Sequence, residues 1–157
     1  TRRQKSYFLW EIGRNNENIN EFLPKIQAGS NEVQEWVCLI QAYSQEGRTE
    51  DAWALARQAV ERFPENASLY SYSGDLLRTM KRYDEAFVHW RRALELEPKW
   101  LDAAYSMGFC YEEMGQFDKA YEVWCGVVEE LERRGFEPEL DFPRSLAQKC
   151  KEKMDQG

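Results

Sequence analysis

The sequence predicts an all-α fold of stacked antiparallel helix pairs, and three observations carry this prediction. First, the chain repeats every 34 residues: YDEAFVHW, which begins at Tyr83, returns as FDKAYEVW at Phe117 and as TEDAWALA at Thr49. Second, apolar residues follow helical spacing in both halves of each repeat. Third, Pro64 and Pro98 close two of the repeats, since the residue before a proline is disfavoured in a helix.

Three consecutive units follow from this period, at residues 33–66, 67–100 and 101–134. Each unit is predicted to contain two helices joined by a short turn. One unit alone cannot bury its apolar side, so the units are expected to stack, and at least three are needed for a stable core.

The repeated residues resemble the tetratricopeptide pattern, which is W-x2-L-G-x2-Y, then A-x3-F, then P. The matching residues of the three units are Trp36, Leu39, Ile40, Tyr43, Ala52, Ala56 and Pro64; then Tyr70, Ser73, Gly74, Leu77, Ala86, Trp90 and Pro98; then Ala104, Met107, Gly108, Tyr111, Ala120, Trp124 and Glu132. The resemblance implies a right-handed α–α superhelix, or solenoid, whose concave groove is lined by the first helix of each unit.

Two helix ends are predicted from single residues. Asn66 is suited to cap the first helix of the second unit, because a short side-chain oxygen can accept a bond from the free N–H groups of the first turn. In the third unit Glu132 replaces the closing proline. Its second helix is therefore expected to reach Arg133 or Arg134 and to stop at Gly135.

Residues 1–32 are predicted to form an N-terminal helical segment of two helices. Their apolar residues are Tyr7, Phe8, Trp10 and Ile12 in the first helix, and Ile19, Phe22, Leu23 and Ile26 in the second. Asn18 stands where the repeat has alanine, and Pro24 is expected to interrupt the second helix. A degenerate repeat and an unrelated helical cap both remain open.

The C-terminal residues are predicted to form a linker, 135–142, and a capping helix, 143–155. Pro143 suits the first turn of such a helix. The apolar stripe expected to cover the last unit comprises Leu146, Ala147, Cys150 and Met154. A terminal helix of this kind shields the exposed end of a repeat array from solvent.

Composition excludes several classes of partner. The chain has 157 residues, is 43% hydrophobic and 31% charged, and carries a net charge of −7 with a pI near 4.9. This acidity disfavours nucleic acid and anionic membranes as partners. The four cysteines lack a C-x-x-C pair, which favours reduced thiols in a cytoplasmic protein. The start TRRQK, without an initiator methionine, indicates a fragment, so a targeting segment is not excluded.

The sequence offers no set of residues for catalysis, a metal or a cofactor. The single histidine, His89, corresponds to Leu55 and Val123 in the other units, so packing explains it better than acid–base chemistry. Asp84 and Glu85 begin a second helix, where acids complement the helix dipole. Phosphate-loop and serine-nucleophile motifs are absent from the sequence. We therefore predict a protein that is not an enzyme and has no cofactor or metal.

The resemblance places the candidate peptide-binding residues on the first helices. They are Gln41, Tyr72, Asp75, Arg78, Tyr105, Phe109, Glu112 and Glu113. Family members that grip acidic chain ends use lysine, asparagine and arginine in this groove; the matching positions here are Val37, Gln41, Tyr72, Asp102 and Ser106. We therefore expect a peptide or helix with apolar and basic residues. Alternatively, the groove aromatics pack against a terminal segment of the chain itself.

The leading interpretation is a protein–protein interaction scaffold that forms part of a larger protein. One alternative is a small chaperone, since some secretion chaperones are similar in repeat number, length and acidity. Another is a regulatory or self-association domain of a larger regulator. The sequence does not identify the partner or the oligomeric state.

Overall fold

The computed structural model describes the backbone of residues 2–157 and the side chains of residues 14–157. This part of the chain consists of eight α-helices and one short 3-10 helix, and contains no strand. The helices are α1 Arg2–Gln27, α2 Val33–Gln45, α3 Thr49–Arg62, α4 Ala67–Thr79, α5 Tyr83–Leu96, α6 Leu101–Glu113, α7 Phe117–Arg134, the 3-10 helix Glu137–Glu139, and α8 Asp141–Gln156. The all-α prediction is confirmed.

The helices pack in chain order, each mainly against its neighbours in sequence. Pairs α2–α3, α4–α5 and α6–α7 are the helix pairs of the three repeat units. Helix α4 also contacts α6, which places the first helices of these two units side by side. This adjacency creates the shared face on which the candidate groove lies.

Tight glycine–tryptophan contacts set the spacing within the second and third units. A Cβ atom on Gly74 would lie 2.4 Å from Nε1 of Trp90, and one on Gly108 would lie 2.5 Å from Cζ2 of Trp124. Both tryptophans are fully buried. The repeated glycine is therefore a steric requirement, because any side chain there would overlap an indole ring.

In the first unit the large and the small side chain have exchanged helices. The equivalents of Gly74 and Trp90 are Ile40 and Ala56, and both are buried in the same core cluster. A large residue on the first helix thus faces a small one on the second. This exchange explains how the first unit departs from the repeat pattern while keeping the space between its helices filled.

The two predicted helix ends are confirmed. The Asn66 Oδ1 atom accepts a hydrogen bond of 3.1 Å from the Leu69 N–H at the start of α4. Helix α7 ends at Arg134, and Gly135 adopts a left-handed φ of 75°. The N–H groups of Gly135 and Phe136 then donate back to carbonyls of the last turn, the arrangement called a Schellman motif.

At the N-terminus, the expectation of two helices is wrong. Residues Arg2–Gln27 form the single helix α1, with Pro24 inside it. Pro24 lies in the last turn, where its missing N–H removes one bond, and its carbonyl still accepts from Ala28 at 3.0 Å. Ile26 and Asn15 are buried, and Asn15 donates to the Glu46 carboxylate at 3.3 Å.

The predicted burial of four N-terminal apolar residues falls outside the described side chains and stays a prediction. These residues are Tyr7, Phe8, Trp10 and Ile12.

The C-terminal segment differs from the predicted bounds. A 3-10 turn, Glu137–Glu139, interrupts the expected linker, and α8 already begins at Asp141. Pro143 is tolerated because it lies in the first turn. Leu146, Ala147 and Cys150 pack on α7 as predicted, but Met154 is 43% exposed because α8 extends beyond the core.

Among the described residues, none of the helices has both the length and the apolar character that crossing a membrane requires.

Candidate peptide-binding groove

Two connected cavities lie between the first helices of the repeat units, and together they are here called the groove. The α2–α4 cavity has a volume of about 210 Å³ and is lined by Ile40, Gln41, Ser44, Gln45, Tyr72, Asp75, Leu76 and Thr79. The α4–α6 cavity has a volume of about 570 Å³ and is lined by Asp75, Arg78, Thr79, Lys81, Ser106 and Glu113. Asp75 and Thr79 belong to both, so the two cavities adjoin.

The α2–α4 cavity has an apolar floor and a polar wall. Ile40 and Leu76 are buried and form part of its lining. Gln41 donates a hydrogen bond of 2.9 Å to the Tyr72 hydroxyl, which ties α2 to α4 across the cavity. Ser44 and Gln45 add exposed polar side chains at its edge. Such a surface offers both apolar contact and hydrogen bonding to a ligand.

Asp75 lies where the two cavities join, and its carboxylate is held by the core. Its Oδ1 atom accepts a hydrogen bond of 3.0 Å from Nε1 of the buried Trp90. Burial raises the pKa of Asp75, with a further contribution from Asp102, while hydrogen bonds from Ser106 and Trp90 act in the opposite direction. The Asp75 carboxylate thus has two roles, since it accepts a hydrogen bond from Trp90 of α5 and also contributes negative charge to the groove.

Arg78 and Glu113 neutralise each other across α4 and α6. The Arg78 guanidinium donates through both Nε and Nη2 to the two carboxylate oxygens, with the Nε contact at 3.1 Å. This pairing lowers the pKa of Glu113. The charged pair also links the second unit to the third, since the two residues belong to adjacent first helices.

Glu112 serves the core more than the groove. Its Oε2 atom accepts a hydrogen bond of 3.1 Å from Nε1 of Trp124, as Asp75 does for Trp90. The two acceptors occupy different positions of the repeat, one helical turn apart. This role of a carboxylate in satisfying a buried indole N–H was not evident from the sequence.

Tyr105 and Phe109 lie close to a residue that the sequence analysis missed. The Phe142 ring, at the start of α8, lies 6.3 Å from the Tyr105 ring and 6.5 Å from the Phe109 ring, between centroids. Phe142 is 57% exposed, so the three rings form an aromatic end to the concave face. Phe142 lies four residues before Leu146, which is helical spacing and could have placed it on the same helix. The prediction instead includes it in the linker, 135–142.

The predicted site residues therefore fall into three groups. Those that line the cavities are Gln41, Tyr72, Asp75, Arg78 and Glu113. Tyr105 and Phe109 contact both Trp124 and Phe142, so packing against a C-terminal residue accounts for one part of their surface. Glu112 supports Trp124. A binding role for any of them stays a prediction.

His89 lies away from the groove, on the second helix α5. Its ring packs between Trp53 and Tyr70, with both pairs of centroids 5.8 Å apart. Burial lowers the pKa of His89, and its Nδ1 atom has no hydrogen-bond partner among the described residues. This is the packing position that its aliphatic equivalents predict.

The described residues contain no group of three or more histidine, cysteine and acidic side chains arranged to hold a metal ion. Of the cysteines, Cys110 and Cys150 are buried. Burial raises the pKa of Cys110 to about 11, which makes this thiol a poor nucleophile.

Family comparisons agree with the repeat pattern. Two tetratricopeptide repeat models match the chain, one at residues 33–76 and the other at residues 102–124. The chain therefore contains tetratricopeptide repeats. It is 26% identical over 113 residues to the tetratricopeptide repeat-containing protein trd-1 of Caenorhabditis elegans, a match that covers 54% of this chain and 15% of that protein.

Solved structures show the same solenoid fold. The crystal structure of MamA aligns with a TM-score of 0.66 and 22% identity, covering 92% of this chain and 91% of MamA. The TPR2B domain of yeast Sti1, solved in its pHsp70 complex, aligns with a TM-score of 0.69 and 17% identity, covering 78% and 98% of the two chains. The Sgt2 TPR domain of Aspergillus fumigatus aligns with a TM-score of 0.67 and 18% identity, covering 81% of this chain and 82% of that domain.

Proposed function

We propose that this protein is a non-enzymatic interaction module that binds a peptide or helix of a partner protein in the groove. The observation that carries the proposal is the pair of adjoining cavities between the first helices, with buried Ile40 and Leu76 as an apolar floor. Apolar concavities edged by polar groups are the usual shape of a ligand site.

The edge of the groove supports recognition of a peptide main chain. Ser44, Gln45 and Thr79 are exposed along it and present hydroxyl and amide groups. Gln41 and Tyr72 are already bonded to each other, which fixes their orientation before a ligand arrives. Side chains held in place lose less conformational entropy on binding.

The chemistry of the groove supports a non-enzymatic role. Its carboxylates at Asp75 and Glu113 are engaged by Trp90 and Arg78 respectively. Neither faces a histidine, and the only histidine of the chain lies on α5, outside the cavity linings. Nucleophilic catalysis requires a nucleophile within reach of a base, and this set of residues does not supply that pair.

The proposal predicts that filling the α2–α4 cavity abolishes binding. Binders are selected from a phage-displayed library of random dodecapeptides and measured as synthetic peptides. Gln45→Arg should weaken binding at least tenfold, because a longer side chain enters the cavity, whereas Gln58→Arg, on the exposed side of α3, should leave it unchanged. Equal effects of the two substitutions, or no selected binder, would contradict the proposal.

A substitution of Tyr72, Tyr105 and Glu112 together is a less clean test. Tyr105 and Glu112 both contact Trp124, so their loss would also weaken the core.

The context of the module is also a proposal. In trd-1, the matched stretch belongs to a much longer chain, since this chain spans 15% of that protein's length. This supports a module within a larger protein over a small independent chaperone. A cytoplasmic location stays a prediction.

A further inference from the structure

We propose that the groove, together with the adjoining surface of α6 and α8, takes a segment of a partner protein that places a lysine or arginine between Asp75 and Asp102 and an apolar side chain against Tyr105, Phe109 and Phe142. This inference rests on the proposed function and specifies the chemistry of the segment.

The unpaired charge at the centre of the groove is negative. Arg78 also acts on Asp75, but its hydrogen bonds go to Glu113, so it offsets the Asp75 charge only in part. Asp102 is exposed in the first turn of α6 and makes no ion pair with the described residues. Lys81 lines the same α4–α6 cavity as Asp75 and acts on Glu113. A cationic side chain entering between Asp75 and Asp102 therefore meets one carboxylate that is offset only in part and one that has no ion pair among the described residues.

Two tyrosine rings flank this position. Burial raises the pKa of Tyr72 and Tyr105, and Asp102 contributes to both shifts. Tyr105 lies one helical turn from Asp102 on α6. Lysine and arginine are attracted to the faces of aromatic rings as well as to carboxylates. The combination favours a cation over a neutral polar group.

The aromatic end is the second contact. Phe142 exposes more than half of its surface beside Tyr105 and Phe109. The nearby residues Leu140 and Pro143 are fully buried and anchor this part of the chain in the core. An apolar side chain packed on these rings would remove apolar surface from water, which favours the complex.

An acidic segment does not fit the same place. Family members that grip acidic chain ends carry lysine, asparagine and arginine at five groove positions. None of the matching positions here holds a basic residue, and one of them is Asp102. Another, Val37, is buried in the core. An acidic chain end would bring negative charge against Asp75 and Asp102, and like charges in close contact oppose binding.

A pair of matched aspartates tests the inference. Asp102 and Asp118 are both exposed and both occupy the second position of a helix, in α6 and α7. Dodecapeptides selected from the random phage library are expected to be enriched in lysine or arginine together with an apolar residue. Asp102→Asn should weaken the binding of such a peptide about twofold to fivefold, and Asp118→Asn should not change it.

The peptide with its basic residue replaced by norleucine completes the comparison. It should bind wild type and Asp102→Asn equally, since the interaction energy of the pair is then absent. The inference would be overturned if the selected peptides lacked basic residues, or if the two asparagine variants lost affinity equally. The proposed function would still stand in that case, provided that Gln45→Arg blocks binding. Failure of Gln45→Arg to block binding would overturn both.

Discussion

At the scale of single residues, the size of one side chain determines how closely two helices approach. Gly74 and Gly108 face the rings of Trp90 and Trp124, and neither site has room for a Cβ atom. Gly126, in α7, is different, because a Cβ atom there would meet nothing within 4 Å. Glycine is therefore sterically required at Gly74 and Gly108 but not at Gly126.

Gly74→Ala is predicted to lower the free energy of unfolding by about 1–3 kcal/mol, because the new methyl group overlaps the Trp90 indole. Gly126→Ala should instead raise it by about 0.5–1 kcal/mol, since alanine loses less entropy than glycine in a helix. Urea unfolding followed by circular dichroism measures both. Destabilisation by both variants to the same extent would show that the contact with Trp90 does not decide the effect.

At the scale of helices, α8 closes the array by covering α7. Leu140, Leu146 and Cys150 pack with Trp124 and Leu131 in one apolar cluster. The Arg144 guanidinium also donates to the Glu132 carboxylate of α7 at 2.6 Å, an exposed pair that contributes little by itself. The burial of the apolar cluster is thus the main reason that α8 stays attached.

Leu140→Ala is predicted to cost about 2–5 kcal/mol of unfolding free energy, because it leaves a cavity at a fully buried position. Met154→Ala, on the exposed end of α8, should change it by no more than about 0.5 kcal/mol. Thermal unfolding monitored by tryptophan fluorescence compares the two. Equal melting temperatures would contradict the assigned role of the α7–α8 cluster.

At the scale of the whole molecule, the concave face combines residues from all three units. Asp75 of α4 is bonded by Trp90 of α5 and by Ser106 of α6, while Glu113 of α6 is bonded by Arg78 of α4. The two carboxylates respond to the fold in opposite ways. Burial raises the pKa of Asp75, whereas the guanidinium lowers the pKa of Glu113.

These shifts predict opposite effects of two isosteric substitutions on stability. Because the pKa of Asp75 is higher in the folded state, its ionised form costs stability above that pKa, and the cost disappears as the pH falls toward the unfolded value of about 3.9. Asp75→Asn should therefore raise the melting temperature near neutral pH. The gain should shrink on acidification.

Glu113→Gln should instead lower the melting temperature near neutral pH. Its carboxylate stabilises the folded state above the unfolded pKa of about 4.3, and this contribution is lost as the pH falls through the lower folded pKa. The variant should thus melt below wild type near neutral pH and approach it in acid. Melting temperatures recorded across the acidic range would refute the assignment if both variants shifted in the same direction.

The sequence alone determined the repeat period, the three helix pairs and two of their ends. These features depend on local properties, namely helical spacing, the cap at Asn66 and the left-handed turn at Gly135, which are encoded within a few residues. The continuity of α1 through Pro24 was not predicted, because the effect of a proline depends on its distance from the helix end.

Only the tertiary structure decided which contacts the side chains of the candidate groove make within the protein. Asp75 and Glu112 turned out to bond tryptophans, Arg78 and Glu113 to neutralise each other, and Phe142 to extend the aromatic end. These contacts join residues 12 to 37 positions apart, and their geometry depends on the way successive helices pack. A 34-residue period places side chains on a face, but the packing of helices determines which of them remain available to a partner.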